Sequence, residues 1–298
     1  MKLTWTLCPS TGTMHSTVAD IPRGPGVTVT DSYTRTSDGA LLRVIDFTPP
    51  GETSNTPLLL FVAGWISIIS AWEDVLRVVT PRVRTLYLET REKRSARFGR
   101  AGSADFSIQR MVDDLDDVIR DRIPADRPFF LAGSSLGSTV ILDYLSRERR
   151  SPLRAIAIAP NAEFRIPSWF YTLARFIPPE AYGLLKGPIK WHIRKHRIDS
   201  VHEKEQVKKY ELSLDRADPR RLKASALAMK GYSLWPKFPL IKVPVVIVGA
   251  ETDLLHGVNE MERMAAMIPG ARLEVMASNR ETHSDKAGRL IIQEIEPA

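Results

Sequence analysis

Residues 130–138 read Phe-Leu-Ala-Gly-Ser-Ser-Leu-Gly-Ser, and this stretch decides the fold. It holds a G-x-S-x-G pattern centred on Ser135. An apolar run (FFLA, 129–132) precedes the pattern, and an amphipathic stretch follows from Leu136 to Arg149. Strand, motif and helix in that order are what a nucleophile elbow requires, a strained turn that lifts a serine hydroxyl above the carboxyl end of a sheet. The two glycines let strand and helix approach closely. The helix N-terminus beyond Ser135 supplies backbone N–H groups suited to an oxyanion. The same letters also fit a plain Gly/Ser-rich turn, so the flanking strand and helix carry the reading.

Outward from the motif, the chain alternates. Apolar runs at 57–63 (PLLLFVA), 83–88, 153–159 (LRAIAIA), 244–249 (PVVIVG) and 271–276 predict strands buried on both faces. Helical patterns at 107–122, 258–268 and 285–295 lie between or after them. Two β-rich segments, 27–33 and 41–47, flank Thr-Ser-Asp-Gly at 36–39 and predict a hairpin. The expected fold is α/β: a doubly wound, mostly parallel sheet of about eight strands with helices on both faces. Residues 161–242 show no clear strand and are too long for a simple connection, so they predict a helical cap insertion. The expected organisation is an N-terminal extension (1–26), a core (27–160 and 243–298) and the cap (161–242).

A serine hydroxyl needs a base to take its proton and an acid to orient that base. On this kind of sheet the chain order is Ser, then Asp or Glu, then His. Asp253 follows the run at 244–249, in the loop beyond the strand's carboxyl end. His283 is the only histidine beyond the last strand. Glu251 competes with Asp253 for the acid, and His256 competes for the imidazole. Ser134 and Ser138 are the next serines in line.

The motifs GSSLG around Ser135, VPVVIVGAETD ending at Asp253 and ETH ending at His283 resemble those of α/β-hydrolase fold proteins. The resemblance spans Val27 to Ile295. It implies Ser135 as nucleophile, His283 as general base and Asp253 as the residue that orients it. It implies an oxyanion hole from the N–H groups of Leu136 and Trp65, with Gly64 and Ser134 lining the substrate, and no metal or organic cofactor. Two segments depart from the family pattern. Ala63 stands where many members carry histidine before Gly64. A charged segment, Glu89 to Ser95, replaces a glycine-rich loop. It reads as a solvated ion-pair loop, or as an anion-binding loop through Arg91, Lys93 or Arg94.

The expected function is a serine hydrolase that cleaves an ester or related acyl bond of a small molecule. An acyltransferase or carbon–carbon bond hydrolase on the same triad, or a non-catalytic binding protein of this fold, are the alternatives. Composition narrows the rest. Lys and Arg outnumber Asp and Glu by 42 to 35 in 298 residues. No nucleic-acid module accompanies that charge, so nucleic acid is not expected as a partner. Eight basic residues against three acidic between 186 and 209, with Trp169, Phe170, Leu173 and Phe176 nearby, could instead meet a lipid surface. Cys8 alone permits no internal disulfide or cysteine-rich zinc site. No apolar run spans a bilayer and the N-terminus lacks a secretory pattern, so a cytoplasmic protein is the expectation.

Overall fold

The apolar runs become strands in the computed structural model, which describes residues 21–99, 104–164, 171, 175–196, 203–253 and 257–296. They are β1 (Thr28–Arg35), β2 (Leu41–Thr48), β3 (Leu58–Val62), β4 (Arg84–Leu88), β5 (Phe130–Ser134), β6 (Ala155–Ile158), β7 (Val245–Ala250) and β8 (Arg272–Met276). Among the described residues they form one sheet in the order β1-β2-β4-β3-β5-β6-β7-β8. β2 pairs antiparallel with β1 and β4, and every later pair is parallel. The hairpin at 36–39 closes as expected, with Gly39 at φ +84°. Only glycine takes that conformation without strain.

Alternation along each strand divides the core in two. Leu58, Leu60 and Val62 of β3 face α2 (Ile108–Arg122), α3 (Leu136–Leu145) and α7 (Val258–Met267). Leu59 and Phe61 face α1 (Glu73–Val79) and α8 (Asp285–Ile295). Helix α2 shows why these helices form where they do. Ser107 caps it by accepting the Arg110 N–H, and Ile108, Met111, Val112, Leu115, Val118 and Ile119 make its buried stripe. The helix after the elbow stops at Leu145, short of the expected Arg149. The chain turns there, and Arg149 reaches back to Asp113 and Asp116 of α2.

Between β6 and β7 lie α4 (Tyr182–His196), α5 (Lys204–Arg216) and α6 (Pro219–Ala228), then a 3-10 segment at Trp235–Leu240. Asp218 caps α6 and Pro219 opens it. The basic face expected here is partly neutralised. Asp215 pairs with Lys190 at 2.7 Å and Lys186 at 3.6 Å, and Glu211 pairs with Arg194. Phe176, Leu184 and Trp191 are exposed. Trp169, Phe170, Leu173, Arg197 and Asp199 lie outside the described residues. Among the described residues, no helix is long and apolar enough to cross a membrane.

The segment after β4 is where the sequence reading fails. Glu89 to Lys93 are buried, not solvated. Arg91 is fully enclosed and meets Asp114 at 2.6 Å and Asp38 at 2.9 Å. Partial burial opposes ionisation of Asp38, but hydrogen bonds from Thr36 and Arg91 outweigh it and hold the carboxyl at about 2. A carboxyl depressed in the folded state stabilises the fold above its ordinary value and loses that contribution as pH falls through about 2. The stability lost between about pH 4 and about pH 2 should therefore be smaller in Asp38→Asn than in the parent, as read by urea unfolding at both ends of that window.

Candidate active site

Sterics build the elbow. Ser135 has φ 48° and ψ −114°, a conformation that costs a non-glycine residue about 1–3 kcal/mol. The strain is held from both sides. The Ser135 N–H donates to the Ile158 carbonyl at the end of β6, at 2.8 Å. Helix α3 lies against β3 so closely that a Cβ on Gly137 would sit 2.2 Å from the Val62 carbonyl oxygen. A Cβ on Gly133 would meet the Ile141 Cδ1 at 2.8 Å. Backbone approach thus requires Gly137, and side-chain packing with backbone at 3.0 Å presses on Gly133.

From Phe129 to Leu145, every residue is buried except Ser135. This separates the three serines. Ser138 Oγ lies 2.7 Å from the Gly133 carbonyl and 3.0 Å from the Ile158 carbonyl, so its hydroxyl serves the turn. Ser134 ends β5, with its hydroxyl packed beside Gly64. Ser135 is the one of the three that is not buried.

The loop after β3 reaches the elbow. A Cβ on Gly64 would lie 3.6 Å from the Ser135 Cβ. The Ser67 N–H donates to the Gly64 carbonyl at 3.1 Å and turns the loop back on itself. Among the described residues, no acceptor meets the Trp65 N–H. Leu136 opens α3, where helical N–H groups lack intrahelical partners.

The acid and imidazole candidates follow β7 and β8. Asp253 is buried beyond β7, whereas Glu251 is exposed. His283 closes a 3-10 turn, Glu281–His283, just before α8. Its ring lies against the buried Trp72 indole, tilted by 30° with ring centres 4.4 Å apart. Its Nδ1 lies 3.1 Å from the Asn279 carbonyl and 3.0 Å from Thr282 Oγ1. Thr282 Oγ1 already donates to that carbonyl at 2.8 Å, so both neighbours offer lone pairs. These surroundings assign the proton to Nδ1 and leave Nε2 as a base. His256 lies outside the described residues.

The loops that carry Asp253 and His283 are joined by a residue the sequence did not single out for this. Glu203, at the start of α5, accepts from Thr252 Oγ1 at 2.7 Å and from the Asn279 N–H at 3.0 Å. Tyr210 on α5 completes the clasp. Burial first, then the Asp253 charge, push its hydroxyl up to about 12, against hydrogen bonds with Asn279 and Gln206. It therefore remains a neutral phenol. A cleft of about 370 Å³ between α1 and α5 borders His283, with Asp74, Arg77, Lys209 and Arg280 in its walls.

Asn161 is a second residue whose place only the structure reveals. Its Nδ2 donates to Ser135 Oγ at 3.2 Å, while Thr139 Oγ1 fixes its backbone. The signal was its position just beyond β6, but that says little until β6 is known to lie beside β5. An amide donor on Oγ orients the hydroxyl and stabilises charge that develops on it. Asn161→Ala is expected to lower kcat by about tenfold with a smaller change in KM, as measured by steady-state ester hydrolysis.

Comparison with known proteins agrees with this architecture. The model of the alpha/beta hydrolase family matches residues 59–285. The fold is similar to an esterase from Exiguobacterium antarcticum, with TM-score 0.73 and 16% identity over 89% of this chain and 99% of that one. It is similar to an enol-lactonase from Burkholderia xenovorans, with TM-score 0.72 and 18% identity over 88% and 98% of the two chains. It is also similar to a carboxylesterase from Bacillus subtilis, with TM-score 0.68 and 18% identity over 90% and 92%. A search of curated protein sequences found no match. The family match covers most of the chain, and the protein belongs to the alpha/beta hydrolase family.

Proposed function

We propose that this hydrolase cleaves an ester or related acyl bond of a small molecule through Ser135, His283 and Asp253. One observation carries the reading. Ser135 is held in a strained turn, is the only residue of its strand–helix unit that is not buried, and faces the Gly64–Trp65 loop. The esterase, enol-lactonase and carboxylesterase of similar fold make acyl chemistry the first class to test.

In this mechanism His283 Nε2 takes the Ser135 proton as Oγ bonds to the substrate carbonyl carbon. The carbonyl oxygen becomes an oxyanion and accepts from the N–H groups of Trp65 and Leu136. The tetrahedral intermediate collapses, the alkoxide leaves, and the imidazolium gives it the proton. Water then attacks the acyl-enzyme with the same base and returns Ser135. Asp253 stabilises the imidazolium, and the Nδ1 contacts with Asn279 and Thr282 fix the ring's orientation.

A series of p-nitrophenyl esters of rising acyl length tests this reading. At least one ester should be hydrolysed, and its chain length sizes the acyl pocket. A folded protein that turns over none of them, nor thioesters or enol lactones of similar size, would contradict it.

A further inference from the structure

We infer that Lys93 is a positioning residue for the oxyanion hole, with Glu92 as its counter-ion. It rests on Ser135 being the nucleophile and adds how the second oxyanion donor is aimed.

Within the loop that must supply this donor, the Gly64 carbonyl is held by one backbone bond, from the Ser67 N–H at 3.1 Å. Ala63 offers no polar side chain, and Ile66 sits at φ 51°, where a β-branched residue is strained. Support comes from the buried segment after β4. Lys93 Nζ donates to the Gly64 carbonyl at 2.8 Å. It also donates to Thr90 Oγ1 at 2.6 Å and Glu92 Oε1 at 2.9 Å. Glu92 Oε1 in turn accepts the Ile66 N–H at 3.1 Å, across the strained residue. Neither charged side chain reaches solvent to any extent: Glu92 is 1% and Lys93 8% exposed.

Peptide geometry turns this brace into a catalytic device. In a trans peptide the C=O and the following N–H point in opposite directions. Anchoring the Gly64 carbonyl on Lys93 therefore directs the Trp65 N–H away from Lys93. A Cβ on Gly64 would lie 3.6 Å from the Ser135 Cβ, while the Gly64 carbonyl bonds Lys93. The ammonium fixes a backbone donor that the elbow side can use, and it polarises that peptide as negative charge develops on the oxyanion. Helix α6 also bonds this region. Trp65 Nε1 donates to Ser225 Oγ on α6 at 2.9 Å, and Arg221 of α6 donates to the Lys93 carbonyl.

A buried ion pair that loses one partner leaves an uncompensated charge, so the test removes both. The paired variant Glu92→Gln with Lys93→Met keeps the size of the pair and abolishes the Gly64 contact. The fold is checked by circular dichroism and thermal melting. Expected is a fall in kcat of about 100-fold for the best p-nitrophenyl ester, with KM within about threefold. The affinity for phenylboronic acid, which forms a tetrahedral adduct on the serine, should fall in parallel. Lys93→Arg keeps the charge but not the compact ammonium, and should lose about tenfold in kcat. A folded paired variant or a folded Lys93→Arg that keeps kcat within about threefold would overturn the inference. Failure of both to fold would assign the pair to stability alone and overturn it equally. Failure of the Ser135 reading would look different, because the parent protein itself would show no turnover.

Discussion

Ser135→Ala is expected to lower turnover by about 10⁴- to 10⁶-fold while leaving the melting temperature nearly unchanged. The size of the loss follows from chemistry. Without the hydroxyl no acyl-enzyme forms, and what remains is the catalysis that the oxyanion donors and substrate binding give to a direct attack by water. The small stability change follows from the structure. Alanine keeps the strained backbone at φ 48°, and the Ser135 N–H keeps its bond to Ile158. The lost side-chain bond from Asn161 lies in a partly exposed position. Circular dichroism and a thermal melt, run beside ester hydrolysis, separate lost chemistry from lost fold. Ser138→Ala should behave in the opposite way. It removes bonds to Gly133 and Ile158 that hold the turn, and costs stability before it costs chemistry.

Asp253→Asn is expected to lower kcat by about 10⁴-fold, with Glu251→Gln close to the parent. The sequence alone leaves both acids in contention. Their surroundings separate them, because Asp253 is buried beside Tyr210 and Glu251 is exposed. Asparagine keeps the shape of Asp253 but removes the charge that stabilises an imidazolium. The loss should therefore fall on kcat more than on KM, and steady-state kinetics of the two variants checks this. A large loss in Glu251→Gln with Asp253→Asn intact would move the acid by two residues.

The fold was largely legible because its signals are local. A short apolar run such as 58–62, bounded by Pro57 and Gly64, reads as a strand buried on both faces, and GSSLG between strand and helix admits few turns. The placement of Ser135, Asp253 and His283 after β5, β7 and β8 was legible for the same reason. The misread segment is instructive. Glu89 to Ser95 reads as surface because charged residues usually are, and its partners are distant in sequence. Arg91 is matched by Asp114 and Asp38, 23 and 53 residues away, and Lys93 by the Gly64 carbonyl 29 residues away. No periodicity announces such pairs. Asn161 and Glu203 are likewise placed by tertiary structure: one reaches Ser135 because β6 lies beside β5, the other reaches the His283 loop because α5 starts beside it.

The central claim is that Ser135 is an activated nucleophile. Labelling with a fluorophosphonate, followed by peptide mapping, tests it most directly, since stable phosphonylation requires a serine made nucleophilic by its base. The predicted result is one adduct, on Ser135, that is absent from Ser135→Ala and forms much more slowly in Asp253→Asn. No adduct on the folded parent protein, or an adduct that persists in Ser135→Ala, would contradict the account.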